Sequence, residues 1–135
     1  MWNEPSNERL SNIPRLYETE HTPLKNKLIY LHFFIGGCDW YIAKYDGEDT
    51  FWGYVILNND YQNAEWGYVC FSELKSIKID EWLEIDCELE EYWKPKMAIE
   101  IETIRIAQGW LLEGDNQMEP TGEIELIWKD RKSVV

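Results

Sequence analysis

Two runs rich in apolar and aromatic residues, 28–35 and 38–45, are separated by nothing more than Gly36-Gly37. A two-residue connection that tolerates positive φ suits a tight hairpin, so the runs read as paired antiparallel strands. The second run ends in Asp46-Gly47-Glu48-Asp49, a turn cluster with an Asp-Gly step. Residues 50–57 follow as a third strand. Asn58-Asn59-Asp60 opens a loop that reaches Ala64, and residues 65–71 make a fourth strand. Four strands in chain order with short connections imply a meander.

Beyond the meander, Ser72 reads as the N-cap of a short helix running to about Ile77, with Glu73 well placed in its first turn. Leu83 to Glu91 then alternates apolar and acidic residues, the period of a half-buried strand. On that reading Leu83, Ile85, Cys87 and Leu89 face a core, while Glu84, Asp86, Glu88 and Glu90 form an acidic row. Pro95 breaks the pattern, because proline cannot donate to a ladder. Residues 98–106 alternate again, with Ile99 and Ile101 set against Glu100 and Glu102. Residues 113–122 are expected as a loop, and residues 123–128 as a last strand of which Ile124, Leu126 or both pack on the domain. The expectation is one α+β domain over residues 1–135: an antiparallel β-meander with one or two short helices. A loosely ordered leader (1–13) and a tail (129–135) flank it.

Composition narrows the class. Aromatic residues make up 15% of the 135, which argues against disorder even at a net charge of −13. Residues 81–102 hold eight acids against Lys94 and Lys96 alone, so the excess negative charge is concentrated there. Such a surface repels nucleic acid and anionic membrane and attracts basic protein surfaces. Cys38, Cys70 and Cys87 are odd in number and scattered, which fits reduced thiols in a cytoplasmic protein. Met1 to Asn12 has neither the basic start nor the apolar run of a signal peptide.

Candidate chemistry is sparse. Asp46, Glu48 and Asp49 gather carboxylates at one turn, but the spacing lacks the ligand ladder of a calcium loop, and no metal site is expected. His21 and His32 are the two imidazoles, expected on the surface and on a sheet face respectively. No nucleophile–base pair or glycine-rich phosphate cradle occurs, so neither a catalytic residue nor a cofactor is expected. Trp40, Trp52, Tyr54, Trp66 and Tyr68 lie on three successive strands. Brought onto one exposed face, they would form a stacking platform for a small molecule or nucleotide, with Asp46 and Asp49 nearby.

One resemblance adds context. Residues 13–96 carry the series Pro14-x-Leu16-Tyr17-x-Thr19-Glu20, Pro23-Leu24, Phe33-Phe34, Trp40-Tyr41, Asp46-Gly47-x-Asp49-x-Phe51-x-Gly53, Gly67-Tyr68 and Ser72-Glu73-Leu74. The series ends near Glu84-x-Asp86 and Lys94-Pro95. This resembles an uncharacterised family of small acidic bacterial proteins carried on phages, plasmids and integrative elements. Ile85 stands where that family often has a basic residue, and Trp93 where it has Phe. The resemblance implies an accessory protein of mobile elements; the family has no assigned activity, so it carries no catalytic role over to these residues.

Two functional expectations follow. In the first, the chain is a non-enzymatic inhibitor of a host defence nuclease of CRISPR or restriction type. It would bind a basic surface through Glu84, Asp86, Glu88 and Glu90, with Glu100 and Glu102 as a second row. Alternate strand residues sit about 6.6–6.8 Å apart, near the phosphate repeat along one DNA strand. In the second, the chain is a small-molecule or nucleotide binding protein, or an enzyme, that uses the aromatic face.

Overall fold

The computed structural model describes residues 3–77 and 84–110. Leu83 at the start of the expected acidic strand, the expected loop 113–122, the expected strand 123–128 with Ile124 and Leu126, and the tail 129–135 lie outside them. Antiparallel pairing dominates: β2 (Leu31–Ile35), β3 (Cys38–Tyr45), β4 (Thr50–Ile56), β5 (Glu65–Cys70) and β6 (Asp86–Cys87) form a sheet in the order β5-β4-β3-β2-β6. The β2–β3 hairpin closes at Ile35 opposite Cys38, with Gly36 at a φ of 55°. The α+β meander read from the sequence is the fold, with three short α-helices among the described residues: α1 (Asn7–Ser11), α2 (Phe71–Lys75) and α3 (Glu102–Gln108).

The run expected as one strand over residues 28–35 is divided between two sheets. Leu28–Ile29 (β1) pairs with Lys96–Met97 (β7), while residues 31–35 join the main sheet. Tyr30 bridges them, donating its N–H to the Ile42 carbonyl at 2.8 Å.

Both faces of the main sheet are covered. On the first, Leu31, Phe33, Ile35, Trp40, Ile42 and Phe51 pack with Phe71 and Leu74 of α2, and with Leu10, Ile13, Ile85 and Cys87. On the second, Tyr41, Ala43, Tyr54 and Ile56 pack with Ile29, Trp93, Ala98, Ile101, Ile104 and Ala107. Each large apolar side chain taken from water stabilises the fold by roughly 1.5–3 kcal/mol. A sheet enclosed on both sides therefore needs covering segments from both ends of the described chain.

Three local expectations are corrected. Residues 1–13 are not loosely held from Asn3 onward: Ser6 caps α1 by accepting from the Arg9 N–H, and Leu10 and Ile13 are buried. Ser72 is not the N-cap of α2, which begins at Phe71 after Cys70. Residues 98–106 are not a strand but a 3-10 turn, Ala98–Glu100, followed by α3. The buried residues Ala98, Ile101, Ile104 and Ala107 recur every three positions, a helical period that outweighs the brief alternation around Ile99. Gly109, at a φ of 73°, closes the helix.

The pairing of β3 with β4 shifts between Ile42 opposite Gly53 and Lys44 opposite Trp52, leaving Ala43 as the extra residue of a bulge. A Cβ on Gly53 would lie 2.0 Å from the Tyr41 carbonyl oxygen, whereas one on Gly67 would meet nothing within 4 Å. Gly53→Ala is therefore expected to destabilise the protein by about 3 kcal/mol or more, and Gly67→Ala by less than about 1 kcal/mol. Urea unfolding of the two variants checks the contrast; equal losses would refute it.

Candidate functional site

The aromatic set divides between the two faces. Trp40 packs in the first core, while Trp52, Tyr54 and Trp66 belong to the second. Trp52 and Trp66 stack with centroids 5.0 Å apart and planes 15° apart, and Tyr54 meets Trp66 edge-on. Gln108 of α3 accepts from the Trp66 indole N–H at 3.3 Å and donates to the Tyr54 hydroxyl at 3.1 Å. This helix covers the face that a platform would need open. Trp52 and Trp66 are half-buried, Tyr54 is fully buried, and Tyr68 alone of the five is exposed. Next to the Trp pair stand two buried lysines, Lys27 and Lys44, whose ammonium groups lie over the Trp52 ring.

Asp46 and Asp49 are engaged in local structure. One Asp46 oxygen accepts the N–H groups of Glu48, Asp49 and Thr50 at 2.7–3.0 Å, closing the hairpin turn. Those bonds, that from Thr50 foremost, hold its carboxyl below the usual carboxylate range. Asp49 does for α2 what Ser72 was expected to do. It accepts the Ser72 N–H at 2.9 Å and hydroxyl at 2.7 Å, and the Cys70 thiol at 2.9 Å. The thiol and hydroxyl bonds lower its pKa. Among the described residues no three His, Cys, Asp or Glu side chains are grouped to hold a metal ion.

The acidic stretch alternates as read only as far as Glu88. Ile85 and Cys87 are buried, whereas Glu84, Asp86 and Glu88 are partly exposed. Asp86 accepts the backbone N–H of Asn3 at 2.7 Å. After Glu88 the chain turns, with the Tyr92 and Trp93 N–H groups bonded to the Leu89 carbonyl. Leu89 is thus exposed instead of core, and Glu90 leaves the strand spacing. Glu100 and Glu102 are both exposed. Glu100 accepts the Met97 N–H at 3.1 Å, and Glu102 opens α3, where the helix dipole favours an acid.

Glu88 is taken by a partner that sequence reading left as an ordinary sheet-face histidine. His32 lies between two carboxylates, Nε2 2.7 Å from Asp39 and Nδ1 2.9 Å from Glu88, and stacks on Tyr41 at 4.4 Å. Register explains the meeting. Phe34 pairs with Asp39 and His32 with Tyr41, which sets Asp39 diagonal to His32, and the Glu88 N–H bonds the His32 carbonyl. With a carboxylate on each ring nitrogen, the trio joins β2, β3 and the segment that follows β6. His21 is exposed, as expected.

A concavity of about 380 Å³ lies beside the β5 edge, lined in part by Val55, Leu57, Asp60, Asn63, Glu65 and Tyr68. Its charged lining is acidic. The Asn63 side chain and N–H hold the Asp60 carboxyl below the usual range. No family model, curated protein or solved structure matches this chain.

Two outcomes follow from the His32 trio and its neighbour Cys87. His32→Phe keeps the aromatic stack but leaves Asp39 and Glu88 without a shared partner. With both carboxylates partly solvated, the expected loss is about 1–3 kcal/mol in denaturant unfolding. Cys38, Cys70 and Cys87 are free thiols, and burial pushes Cys87 up to about 11, with Arg9 pulling weakly the other way. Cys87 is therefore expected to alkylate last. A raised thiol pKa keeps its stabilisation intact below the ordinary value near 9 and loses it as pH climbs toward 11. Over that window Cys87→Ala is expected to lose less stability than the parent, by about 2 kcal/mol. Parallel pH profiles would refute it.

Proposed function

We propose that this chain is a non-enzymatic binding protein whose acidic exterior engages a basic partner. The mobile-element resemblance points to a nucleic-acid-binding defence nuclease as that partner. The observation that carries the reading is a sorting of charge by burial. The described residues include 18 Asp and Glu against nine Lys and Arg, but 12 acids against four bases among those that are exposed. Folding withdraws cations from the surface, since Lys27 and Lys44 are buried and Arg9, Lys96 and Arg105 are partly buried, so the exterior is more acidic than the composition.

The reading rests on the exterior as a whole instead of on one regular row. Glu88 is held by His32 and Asp86 by Asn3, so a four-carboxylate ladder at strand spacing does not support it. Glu90, Glu100 and Glu102 keep exposed carboxylates, and Asp60 and Glu65 add two at the concavity beside β5. A partner Lys or Arg seated there would gain charge complementarity, although each exposed ion pair contributes only about 0.2–1 kcal/mol. Binding of this kind has to be multivalent and steeply salt-dependent.

The test uses purified CRISPR and restriction nucleases whose DNA cleavage is measured with and without the protein. Inhibition of at least one is expected, fading as salt rises from about 50 to about 300 mM. Charge reversal of three exposed carboxylates, Glu65, Glu90 and Glu91 to Lys, is expected to weaken it at least about tenfold with the melting temperature unchanged. Inhibition that survives the reversal, or none against any nuclease, would overturn the reading.

A further inference from the structure

This acidic chain buries two of its cations side by side. Lys27 follows the helical turn Leu24–Asn26, and Lys44 is aimed by the β3 bulge onto the second face. They are only 6% and 7% exposed. Their ammonium groups converge on one indole: Lys44 Nζ lies 4.7 Å and Lys27 Nζ 5.7 Å from the centroid of the Trp52 ring, which in turn stacks on Trp66.

The pair is under-compensated. Among the described residues neither ammonium lies within ion-pair distance of a carboxylate. Lys27 donates to the Thr19 carbonyl. Burial first, and the charge and contact of Lys44 second, hold Lys27 below the usual lysine range, with Glu20 pulling it back. Lys44 has three donors to place, and the ring face of Trp52 is no substitute for an oxygen acceptor. Its Nζ nevertheless is not among the polar atoms sealed from solvent, so the tip stays within reach of a small ion.

The two stems are buried and the tips meet little solvent, so two like charges are held over one ring with no carboxylate in contact among the described residues. Two ammonium groups presented together over an aromatic face are complementary to one oxyanion, whose several acceptors can take donors from both. We propose that Lys27 and Lys44, set over Trp52, form a binding site for a phosphate-class oxyanion. The inference is independent of the acidic-surface reading. An exterior of this charge repels anions at long range, so a site for one has to gather its own cations, as this corner of the fold does.

Isothermal titration of the intact chain with inorganic phosphate, at fixed ionic strength balanced with chloride, is expected to show saturable binding and a rise in melting temperature. Lys44→Met keeps the stem over Trp52 and removes the charge, and is expected to weaken binding at least about tenfold. The unmutated protein provides a second measurement should that variant fail to fold. The ¹³Cε signals of Lys27 and Lys44 are expected to shift with phosphate and not with chloride. A parallel titration with adenosine monophosphate separates two sources of the same group. Tighter binding with quenched indole fluorescence assigns a nucleotide-borne phosphate, and equal binding assigns the free ion. No saturable binding of either probe, lysine signals that stay in place, or full binding by a folded Lys44→Met protein would each overturn the proposal.

Discussion

At Gly53 the backbone of β4 runs so near the Tyr41 carbonyl that any side chain would collide with it. That approach accompanies the extra residue at Ala43, and the extra residue decides what faces what. Side chains of a strand alternate, so a one-residue slip exchanges the two faces. Without the bulge, Lys44 would follow Ile42 by two positions and point into the first core, among Phe33, Phe51 and Phe71. With it, Ala43 and Lys44 both serve the second face, and Tyr45 returns to the first. There Tyr45 meets Phe51 at 4.9 Å and donates its hydroxyl to the Glu48 carbonyl. The lysine site, the aromatic core and the turn at Asp46 all depend on that register.

Enclosure of both faces accounts for the fate of the aromatic residues. A meander with one bare face would have offered Trp52, Tyr54 and Trp66 to a ligand. Here Ile104 and Ala107 lie over that side, and Gln108 ties both Trp66 and Tyr54 to α3. Trp93 adds a second anchor, its indole N–H donating to the Ile29 carbonyl at 3.1 Å. The aromatic residues reach beyond this cover only at the margin, where Trp52 meets the two lysines and Tyr68 stands exposed on β5.

Strand order was legible because it depends on local signals: Gly36-Gly37, Asp46-Gly47 and the Asn58-Asn59 loop each sit at a turn, and both asparagines adopt positive φ. The division of residues 28–35 was not, because nothing in that apolar run marks Tyr30 as the point where it leaves one sheet for another. The α3 segment was misread because Ile99 and Ile101 alternate with glutamates over too short a window to separate a period of two from one of three. Two other meetings left no such signal: Glu88 is distant in sequence from the His32–Asp39 pair, and Lys27 is separated from Lys44 by two strands and a turn. These meetings are set by register and by a bulge, neither of which leaves a mark in composition. Acidity was visible at once, but its sharpening by burial was not, since that depends on which lysines the fold takes inward.

The junction at Tyr30 ties together parts of the chain that would otherwise behave separately. Ile29 is completely buried and belongs to the small sheet with Lys96–Met97, while Leu31, equally buried, belongs to the large one. With only Tyr30 between them, loosening of the 93–108 segment is expected to reach the hairpin. The Tyr30 amide, bonded to the Ile42 carbonyl at this crossing, is expected to exchange only when the main sheet opens beside β3. A protein of this size built as two independent layers would melt in stages. Here the shared junction is expected to make unfolding a single cooperative transition.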